Sequence, residues 1–464
     1  MKECKSIKEI ASRITQNEHV GNIEKKNDIV DHSSLFQYVV RNNSKKVINH
    51  FIIEDLIKSR YRINISKLHE TIRLLVSYHE ILNASYISNH LVFNTANSSF
   101  ETIHEFTIDD SKSNYSADFE KVLNMFYSSF DITHSLFKVI LIHLIDYDVV
   151  VLGSHHMISD AISKRNIIRD FCSFYHDLLR NVESLAIDII KPLPFRAYQD
   201  SIRDFYNTSI SDKEKQYWDI VRNQLPKPIL EKRQYANKCI LITSDLEPIP
   251  KSKIMLQSIR YQKGLLSIVA AAVYNVITRI FHVKTIAVQV FLHGRNEQFI
   301  GSDNEIFNEC PFLLGSSVGC FVVNPPIIIS GNDSNNTFEL LSNIDHLLVN
   351  MPNGGVGFDA TGGYPKSLIP SFGIDMVGIR DTLYPKDIYS EDFERCKGLP
   401  HGQPMSDHLD MGCPYLIYVG ISKEKLFLKV RYNQAYISDS LAKQVLDGIG
   451  IEIQQVIKLL EADL

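Results

Sequence analysis

The sequence of 464 residues has no strong surplus of charge and no apolar run long enough to cross a membrane. Its 49 Lys and Arg residues stand against 54 Asp and Glu, a net charge of −5, whereas nucleic-acid binding usually needs a clustered basic surface. The longest apolar stretch, residues 265–281, contains Ser267, Asn275 and Arg279 and falls short of the roughly 20 apolar residues of a membrane span. It predicts a buried helix, in a protein that binds neither nucleic acid nor membrane.

Cysteine is scarce, and several common catalytic motifs are missing. The seven cysteines are scattered and odd in number, which argues against a disulfide framework and favours a reducing compartment. The N-terminus lacks the apolar segment of a secretory signal, so we expect a cytoplasmic protein. The sequence has no phosphate-binding loop, no dinucleotide-binding glycine motif and no serine-hydrolase elbow. Nothing in the sequence therefore suggests nucleotide, dinucleotide or serine-hydrolase chemistry.

Metal binding is an alternative that the sequence supports only weakly. One cluster has ligand types suitable for zinc but lacks the two close pairs of common zinc sites; it comprises Cys396, His401, His408 and Cys413. A second set of donors, His155, His156 and Asp160, lies at the end of a predicted strand, where neighbouring side chains diverge. We therefore predict no metal site.

Strands and helices are mixed along two halves of similar size, which predicts a two-lobed α/β architecture. Residues 1–28 are polar and are predicted to form an N-terminal extension. Residues 29–185 are predicted to form the N-terminal lobe, and residues 201–464 the C-terminal lobe. The segment 186–200 contains Pro192 and Pro194 and loses periodicity, as is typical of a linker.

The segment SHHMISDA, residues 154–161, is the most informative part of the sequence. It follows a continuously apolar run, Val149 to Leu152, that predicts a strand buried on both faces. Histidine suits proton transfer near neutral pH, but only one of two adjacent side chains on a strand can face a given cleft. The aspartate could orient an imidazole or pair with a distant cation. A purely structural histidine pair at a strand end is the alternative interpretation.

This segment resembles the H-H-x-x-x-D-G motif of the condensation domains of nonribosomal peptide synthetases, members of the chloramphenicol acetyltransferase-like superfamily. Other motifs of the family have counterparts in the same order over about residues 45 to 460, namely Tyr78–Leu82, Phe130–Ile132, Leu136–Lys138, Tyr217–Trp218, Gly294–Asn296, Val318–Asn324 and Tyr432–Asn433. Three features depart from the family. Ala161 replaces the usual glycine, no S-x-A-Q-x-R-x-W motif is recognisable near Ser33, and the Gly-rich residues 353–363 replace the P-F-E-x-L-V stretch.

The resemblance implies an α/β fold of two chloramphenicol acetyltransferase-like lobes, arranged as a V-shaped pseudo-dimer with a central tunnel. It implies that His156 is the catalytic residue and that His155 points back into the N-terminal lobe to organise the loop. Asp160 is expected to pair with Arg295 from the other lobe. Ala161 would add a methyl group beside this turn and narrow the passage.

The resemblance also implies the activity and its partners. A condensation enzyme of nonribosomal peptide biosynthesis forms an amide (peptide) bond between a carrier-bound acyl thioester and an amine acceptor, either carrier-bound or free. It binds no cofactor directly, because the phosphopantetheine arm of a peptidyl or acyl carrier protein brings the donor. A condensation domain takes nearly the whole chain, so the sequence is either a free-standing enzyme, which we expect, or an excised domain. The carriers of a free-standing enzyme act in trans. A basic patch at the tunnel mouth is expected for docking and could include Lys164 and Arg165, whose alternative interpretation is a solvated helix face.

Three alternatives stay open at this point. The first is a coenzyme A-dependent acyltransferase of the same superfamily, which the absence of a D-F-G-W-G motif weakens. The second is an epimerization domain, although the I-G-x-F-V-N-like segment fits condensation better. The third is a non-catalytic module that recruits carrier proteins. Such modules usually lose the histidine motif, and this chain keeps it.

Overall fold

The computed structural model describes most of the chain, namely residues 29–31, 34–93, 103–181, 192–233, 237–244, 249–250, 264–299, 313–331, 336–379, 385, 388–423 and 425–462. The predicted extension at residues 1–28 and the first part of the predicted linker lie outside these ranges. Within them, no helix is long and apolar enough to span a membrane.

The described residues contain fourteen strands in three sheets. The strands are β1 Ile29–Asp31, β2 Ile52–Ser59, β3 Ala84–Ile87, β4 His90–Phe93, β5 His104–Thr107, β6 Phe137–His143, β7 Asp148–His155, β8 Cys239–Thr243, β9 Thr285–Phe291, β10 Pro326–Ser330, β11 Phe372–Ile379, β12 Phe393–Arg395, β13 Tyr415–Ser422 and β14 Lys425–Asn433. The five-stranded sheet has the order β12-β2-β7-β6-β5, the six-stranded sheet has the order β10-β9-β11-β13-β14-β8, and the small sheet has the order β1-β4-β3.

Helices surround these sheets and connect their strands. The α-helices are α1 Ser34–Asn42, α2 Lys45–Asn49, α3 Ile65–Tyr78, α4 Tyr115–Ser128, α5 Ala161–Leu179, α6 Phe195–Tyr206, α7 Asp212–Gln224, α8 Leu265–Phe281, α9 Leu313–Ser316, α10 Thr337–Val349, α11 Val356–Ala360 and α12 Asp439–Ala462. Short 3-10 helices occupy Glu80–Asn83, Ser209–Ser211, Glu297–Phe299 and Pro352–Gly355.

Strand β7 carries the histidine pair toward the centre of the molecule. It lies between β2 and β6, antiparallel to both, and all eight of its residues are buried. The predicted buried strand at Val149 to Leu152 is therefore confirmed. The segment before β2 is helical over Lys45–Asn49, and β2 starts at Ile52.

A segment from late in the chain completes the N-terminal sheet. Strand β12 pairs antiparallel with β2, joining Phe393 to Ser59 in register. The ring of Phe393 is buried and packs against Phe171 and Tyr175 of α5, with ring centroids 5.4 and 5.2 Å away. Residues within the predicted range 201–464 thus contact both sheets, and the lobe boundaries stay a prediction.

The six-stranded sheet lies against the long helices of the second half. Helix α8 has the bounds predicted from its apolar run and packs beside α12. Strands β9, β11 and β13 run parallel, with β11 between the other two. Phe291 and Leu416 project from this sheet into a core cluster that also contains Phe171. One continuous hydrophobic core therefore joins residues of the two predicted lobes.

Helix α6 begins inside the predicted linker at residues 186–200. Residues 195–200 are its first turns, with Pro194 at the N-cap. Proline is tolerated at the start of a helix, because the first N–H groups have no partner within the helix. The two prolines therefore lie at the start of a helix, and the bounds of the predicted linker stay a prediction.

Candidate functional site

His155 is the last residue of β7. Its side chain is fully buried, and its Nε2 lies 2.8 Å from the carbonyl oxygen of Ile48. The backbone N–H of Met157 donates to Nδ1 at 3.2 Å, so Nε2 must carry the proton that bonds to Ile48. Burial lowers the pKa of His155 to about 4, and the nearby His156 acts in the same direction. A neutral imidazole with a hydrogen bond at each ring nitrogen fits the predicted role of organising the loop.

His156 points the other way and is only half-buried. Its backbone N–H donates to the carbonyl oxygen of Phe51 at 2.9 Å. Its ring packs on the rings of Phe51 and Phe36, at 4.6 and 5.9 Å between centroids, and its Nδ1 lies 3.9 Å from the Sγ of Cys320. Aromatic rings and a thiol from three separate segments therefore surround this imidazole.

The electrostatics keep His156 neutral near pH 7. Burial lowers its pKa below the usual value, although a hydrogen bond to its own backbone carbonyl and the charge of Asp160 oppose this shift. When one ring nitrogen donates to that carbonyl, the other has a lone pair. A neutral imidazole with a free lone pair can accept a proton from an attacking nucleophile.

Asp160 begins the helix that follows the histidines. It is the N-cap of α5, and its Oδ1 accepts from the backbone N–H of Ser163 at 2.8 Å. Its Oδ2 accepts from the backbone N–H of Phe321 at 3.1 Å. An aspartate in this position satisfies an N–H group that the helix leaves unpaired. The same side chain thereby joins the start of α5 to the segment after α9.

Arg295 contacts Asp160 across 135 residues of sequence. Its Nη1 donates to Oδ2 at 2.7 Å and its Nη2 to Oδ1 at 3.1 Å, which is the two-bonded geometry that favours arginine. The side chains of Arg295 and Asp160 are 5% and 3% exposed. Burial alone would raise the pKa of Asp160, but Arg295 and the hydrogen bonds to the carboxylate hold it below its usual value. The structure thus brings together the two residues predicted to pair.

The loop that carries Arg295 depends on a glycine. Gly294 has a φ of +59°, and a Cβ built there would lie 1.9 Å from the carbonyl oxygen of Phe321. The hydroxyl of Tyr198 donates to the carbonyl oxygen of Gly294 at 2.6 Å and accepts from the N–H of Asn296 at 3.0 Å. The Gly-Arg-Asn motif therefore fixes the backbone on both sides of Arg295.

Ser163 is a site residue that the sequence did not reveal. Its fully buried Oγ donates to the carbonyl oxygen of Gly319 at 2.6 Å. It accepts from the N–H of Gly319 at 3.0 Å and from Nη2 of Arg295 at 2.9 Å. A side chain on Gly319 would strike the ring of Phe195, whose nearest atom would be 2.2 Å from the added Cβ. A serine three residues into a helix is too common a feature to indicate such a contact.

Ala161 and the predicted docking residues Lys164 and Arg165 take no part in the contact between Asp160 and Arg295. Ala161 is the first residue of α5 and is exposed, so its methyl group adds to the surface beside Asp160. The Nζ of Lys164 forms an ion pair with Asp55 of β2 at 2.9 Å. Arg165 donates to the side-chain oxygen of Asn166. Lys164 therefore faces the sheet, and the expected basic patch stays a prediction.

A cleft of about 360 Å³ opens beside the loop that carries Arg295 and the segment after α9. Cys320 lines it together with Gly294, Phe195 and Tyr198, and the thiol of Cys320 lies next to the His156 ring. Burial raises the pKa of this thiol far above its usual value, so the group is neutral. The cleft therefore reaches the thiol that lies next to the His156 ring.

No three His, Cys, Asp or Glu side chains within the described ranges are grouped closely enough to hold a metal ion. The cysteines and histidines considered for zinc make other contacts. The Nδ1 of His408 lies 2.6 Å from the carbonyl oxygen of Asn237, and the Sγ of Cys413 donates to the carbonyl oxygen of Tyr415 at 3.5 Å. The zinc alternative therefore has no geometric support in this part of the chain.

Comparison with known proteins agrees with these features. The family model "Condensation domain" matches residues 35–361, more than half of the chain. Surfactin synthase subunit 1 of Bacillus subtilis (strain 168) is 21% identical over 505 residues, covering 98% of this chain and 14% of that protein. The chain therefore spans only a small part of the length of this curated relative.

Solved structures show the same fold. The epimerization domain from the third module of tyrocidine synthetase B has a TM-score of 0.75 and 15% identity, covering 94% of this chain and 97% of that one. The first condensation domain of the calcium-dependent antibiotic synthetase has a TM-score of 0.63 and 11% identity, covering 93% and 96%. The predicted two-lobed α/β fold is confirmed, and at such low identities the likeness concerns the fold alone.

Proposed function

Because the chain belongs to the condensation-domain family, we propose that it forms an amide bond between a carrier-bound acyl thioester and an amine in nonribosomal peptide biosynthesis. Membership of this family supports an amide-bond-forming transfer in general. Epimerization domains share the fold, so the condensation reaction itself is what we propose for this chain. The observation that carries it is the half-buried, neutral imidazole of His156, held at the end of a rigid strand beside an open cleft.

The residues around His156 suit the aminolysis of a thioester. As the amine attacks the carbonyl carbon, it loses a proton, the C–N bond forms, and the C–S bond breaks to release the thiol. His156 takes the amine proton, a contribution typically worth roughly 10²–10⁴ in rate. The proton then passes to the leaving sulfur, which departs as the thiol. Holding both substrates beside one imidazole adds the effect of proximity. His155 and the Asp160–Arg295 pair act as positioning residues, because they fix the strand end and the helix start.

The developing negative charge on the carbonyl oxygen needs a hydrogen-bond donor. We propose the first backbone N–H groups of α5, which lie at the positive end of the helix dipole. The N–H of Ser163 already donates to Asp160, and the N–H of Lys164 donates to the backbone carbonyl of Asp160. The donors would then be the N–H groups of Ala161 and Ile162.

The acyl donor is proposed to arrive on the phosphopantetheine arm of a separate peptidyl or acyl carrier protein. The thioester of such an arm is the electrophile that the chemistry requires. The chain itself is proposed to hold no cofactor directly. The acceptor amine would reach His156 through the cleft that Cys320 lines.

The test is an assay with a donor-loaded carrier protein, a panel of amines and the purified chain, followed by mass spectrometry of the amide product. We expect product from the carrier-bound donor and much slower reaction of the same acyl group on coenzyme A. Equal rates with both donors would favour a coenzyme A-dependent acyltransferase. Deuterium uptake at the α-carbon of a carrier-bound aminoacyl group, without amide formation, would indicate epimerization. Carrier binding without any turnover would indicate a recruitment module.

A further inference from the structure

A second cleft, of about 320 Å³, lies next to the one beside Cys320. Gln37 and Gly362 line both clefts, so the two spaces adjoin. We call the second one the amide cleft, because Gln289 and Asn324 form its base. Its polar base differs from the aromatic surroundings of His156.

The hydrogen bonds at the base of the amide cleft leave one acceptor unused. The Nε2 of Gln289 donates to the carbonyl oxygens of Pro370 and Gly412, at 3.2 and 3.3 Å. Two carbonyl acceptors fix the orientation of this amide, so its Oε1 faces Asn324 and accepts from Nδ2 at 2.9 Å. The Oδ1 of Asn324 is then left without a hydrogen-bond partner, although this residue is only 2% exposed.

A buried acceptor without a partner is costly, typically about 1–3 kcal/mol. The backbone at Asn324 has little freedom to relieve this cost, because the hydroxyl of Tyr364 donates to the carbonyl oxygen of Asn324 at 2.7 Å. Tyr364 itself lines the cleft. A ligand N–H or O–H placed at the base of the cleft would satisfy the unused oxygen.

The rim of the amide cleft is positively charged. Arg41 of α1 and Lys366 both line it and are exposed, and none of the described residues that line it is acidic. Among the described residues, the one hydrogen-bond partner of Arg41 is Gln37, at a long 3.4 Å. The carboxylate of Asp410 lies behind Tyr38 but is buried and accepts from the N–H of Gly412 at 2.9 Å. The two cations thus face the cleft without an acidic side chain between them.

We propose that the amide cleft binds the acceptor substrate, and that this acceptor carries a carboxylate together with a hydrogen-bond donor. The carboxylate would lie between Arg41 and Lys366, and the donor would bond to the Oδ1 of Asn324. A free amino acid whose side chain carries an N–H or O–H has both groups, keeps its α-amine for the attack on the thioester, and has a size that suits the cleft volume. This inference rests on the proposed function and adds the substrate class. A phosphate, such as that of a phosphopantetheine arm, is a second source of negative charge.

The test measures binding by calorimetry without any acyl donor, using the free α-amino acids and their carboxamides as matched probes. We expect at least one acid to bind more tightly than its amide, by roughly fivefold for each cation. Arg41→Gln and Lys366→Gln should each reduce that preference while leaving amide binding unchanged. Lys112→Gln, a substitution at an exposed lysine outside both clefts, is the matched control. Equal binding of every acid and its amide, or a preference that survives both substitutions, would overturn the proposal.

A second pair of probes separates the two sources of charge. Phosphopantetheine and pantetheine are compared in the same variants. A preference for phosphopantetheine that depends on both cations, with none for any amino acid, would overturn the acceptor assignment and identify the phosphate as the ligand. Condensation of a neutral amine tests the proposed function independently. If that amine is condensed but no acid binds, only this inference fails, and if acids bind without condensation, the proposed function fails.

Discussion

Two adjacent histidines have different environments because β7 ends between them. His155 is the last residue of the strand and is enclosed by backbone groups, whereas His156 begins the turn and meets side chains from α1 and from the segment after α9. The alternation of side chains along a strand predicts this division. The sequence motif alone does not reveal that a thiol lies beside the proposed base.

Replacing His156 tests its proposed catalytic role. We expect His156→Ala to lower the rate of amide formation by at least about tenfold, because the attacking amine loses its proton acceptor. The measurement is product formation with a saturating carrier-bound donor, together with the unfolding midpoint in urea. His401→Ala, at an exposed histidine, is the control and should keep the wild-type rate. Wild-type turnover by a folded His156→Ala variant would contradict the assignment.

The buried state of His155 predicts a pH dependence of stability. Its pKa is about 4 in the folded protein, below the usual 6.5, so between these values the unfolded chain binds a proton that the folded one does not. Stability is then complete above about pH 6.5 and falls as the pH decreases, by about 2 kcal/mol at pH 5. Urea unfolding at pH 7.5 and pH 5 should show that His155→Gln loses less stability than the wild type over this interval. Identical losses would mean that His155 titrates normally in the folded protein.

Two glycines allow the loops around the Asp160–Arg295 pair to approach each other. Gly294 has a positive φ and lies against the backbone of Phe321. Gly319 lies against the ring of Phe195. These close approaches give a physical reason for the glycines in both motifs. They also explain why α9 and the loop after β9 pack at the start of α5.

Substitution of Gly294 tests this close approach. Gly294→Ala places a Cβ 1.9 Å from the Phe321 carbonyl oxygen and strains a positive φ, so we expect a loss of stability of more than about 1 kcal/mol. Amide formation should also fall, because Arg295 is displaced. Gly315→Ala is the matched control, since no atom lies within 4 Å of an added Cβ there. Equal unfolding midpoints for the two variants would contradict the argument.

Local sequence patterns predicted some elements well and others poorly. The run at residues 265–281 specified helix α8 because its apolar residues continue over the whole length. Helix α3 has Asn64 as its N-cap, which accepts from the N–H of Lys67, although Ser66 close by is an equally suitable capping residue type. Strand β12 was missed, because a three-residue strand that pairs with a distant segment has no local signature.

At the scale of the whole molecule, the site is formed by contacts between distant parts of the chain. The motif resemblance identified His156, Asp160 and Arg295, because each belongs to a short, ordered motif. It did not identify Ser163, whose hydroxyl bonds to a segment more than 150 residues away. It also missed the unpaired oxygen of Asn324, because hydrogen-bond satisfaction depends on the folded arrangement. Residues with several long-range partners therefore have to be found in the structure.

The buried pair of Asp160 and Arg295 should make a measurable contribution to the stability of the whole molecule. Replacing either residue by alanine leaves the other charge buried without its partner, at an expected cost of about 3–5 kcal/mol. The double variant should lose less than the sum of the two single losses, because it leaves neither charge unpaired. Both single variants should also lose more stability than His156→Ala does.

An exposed ion pair supplies the comparison for this effect. Lys112 and Asp109 are 63% and 40% exposed, and Lys112→Ala should cost less than about 1 kcal/mol. Urea unfolding of the four variants and the wild type gives every free energy that the comparison needs. If the losses of the single variants simply add, or if they match that of Lys112→Ala, then the pair does not join the two halves energetically. A coupling of several kcal/mol between Asp160 and Arg295 would instead mean that their contact stabilises the packing of α5 against the segment that follows β9. The same contact would then both stabilise the fold and position the turn after His156.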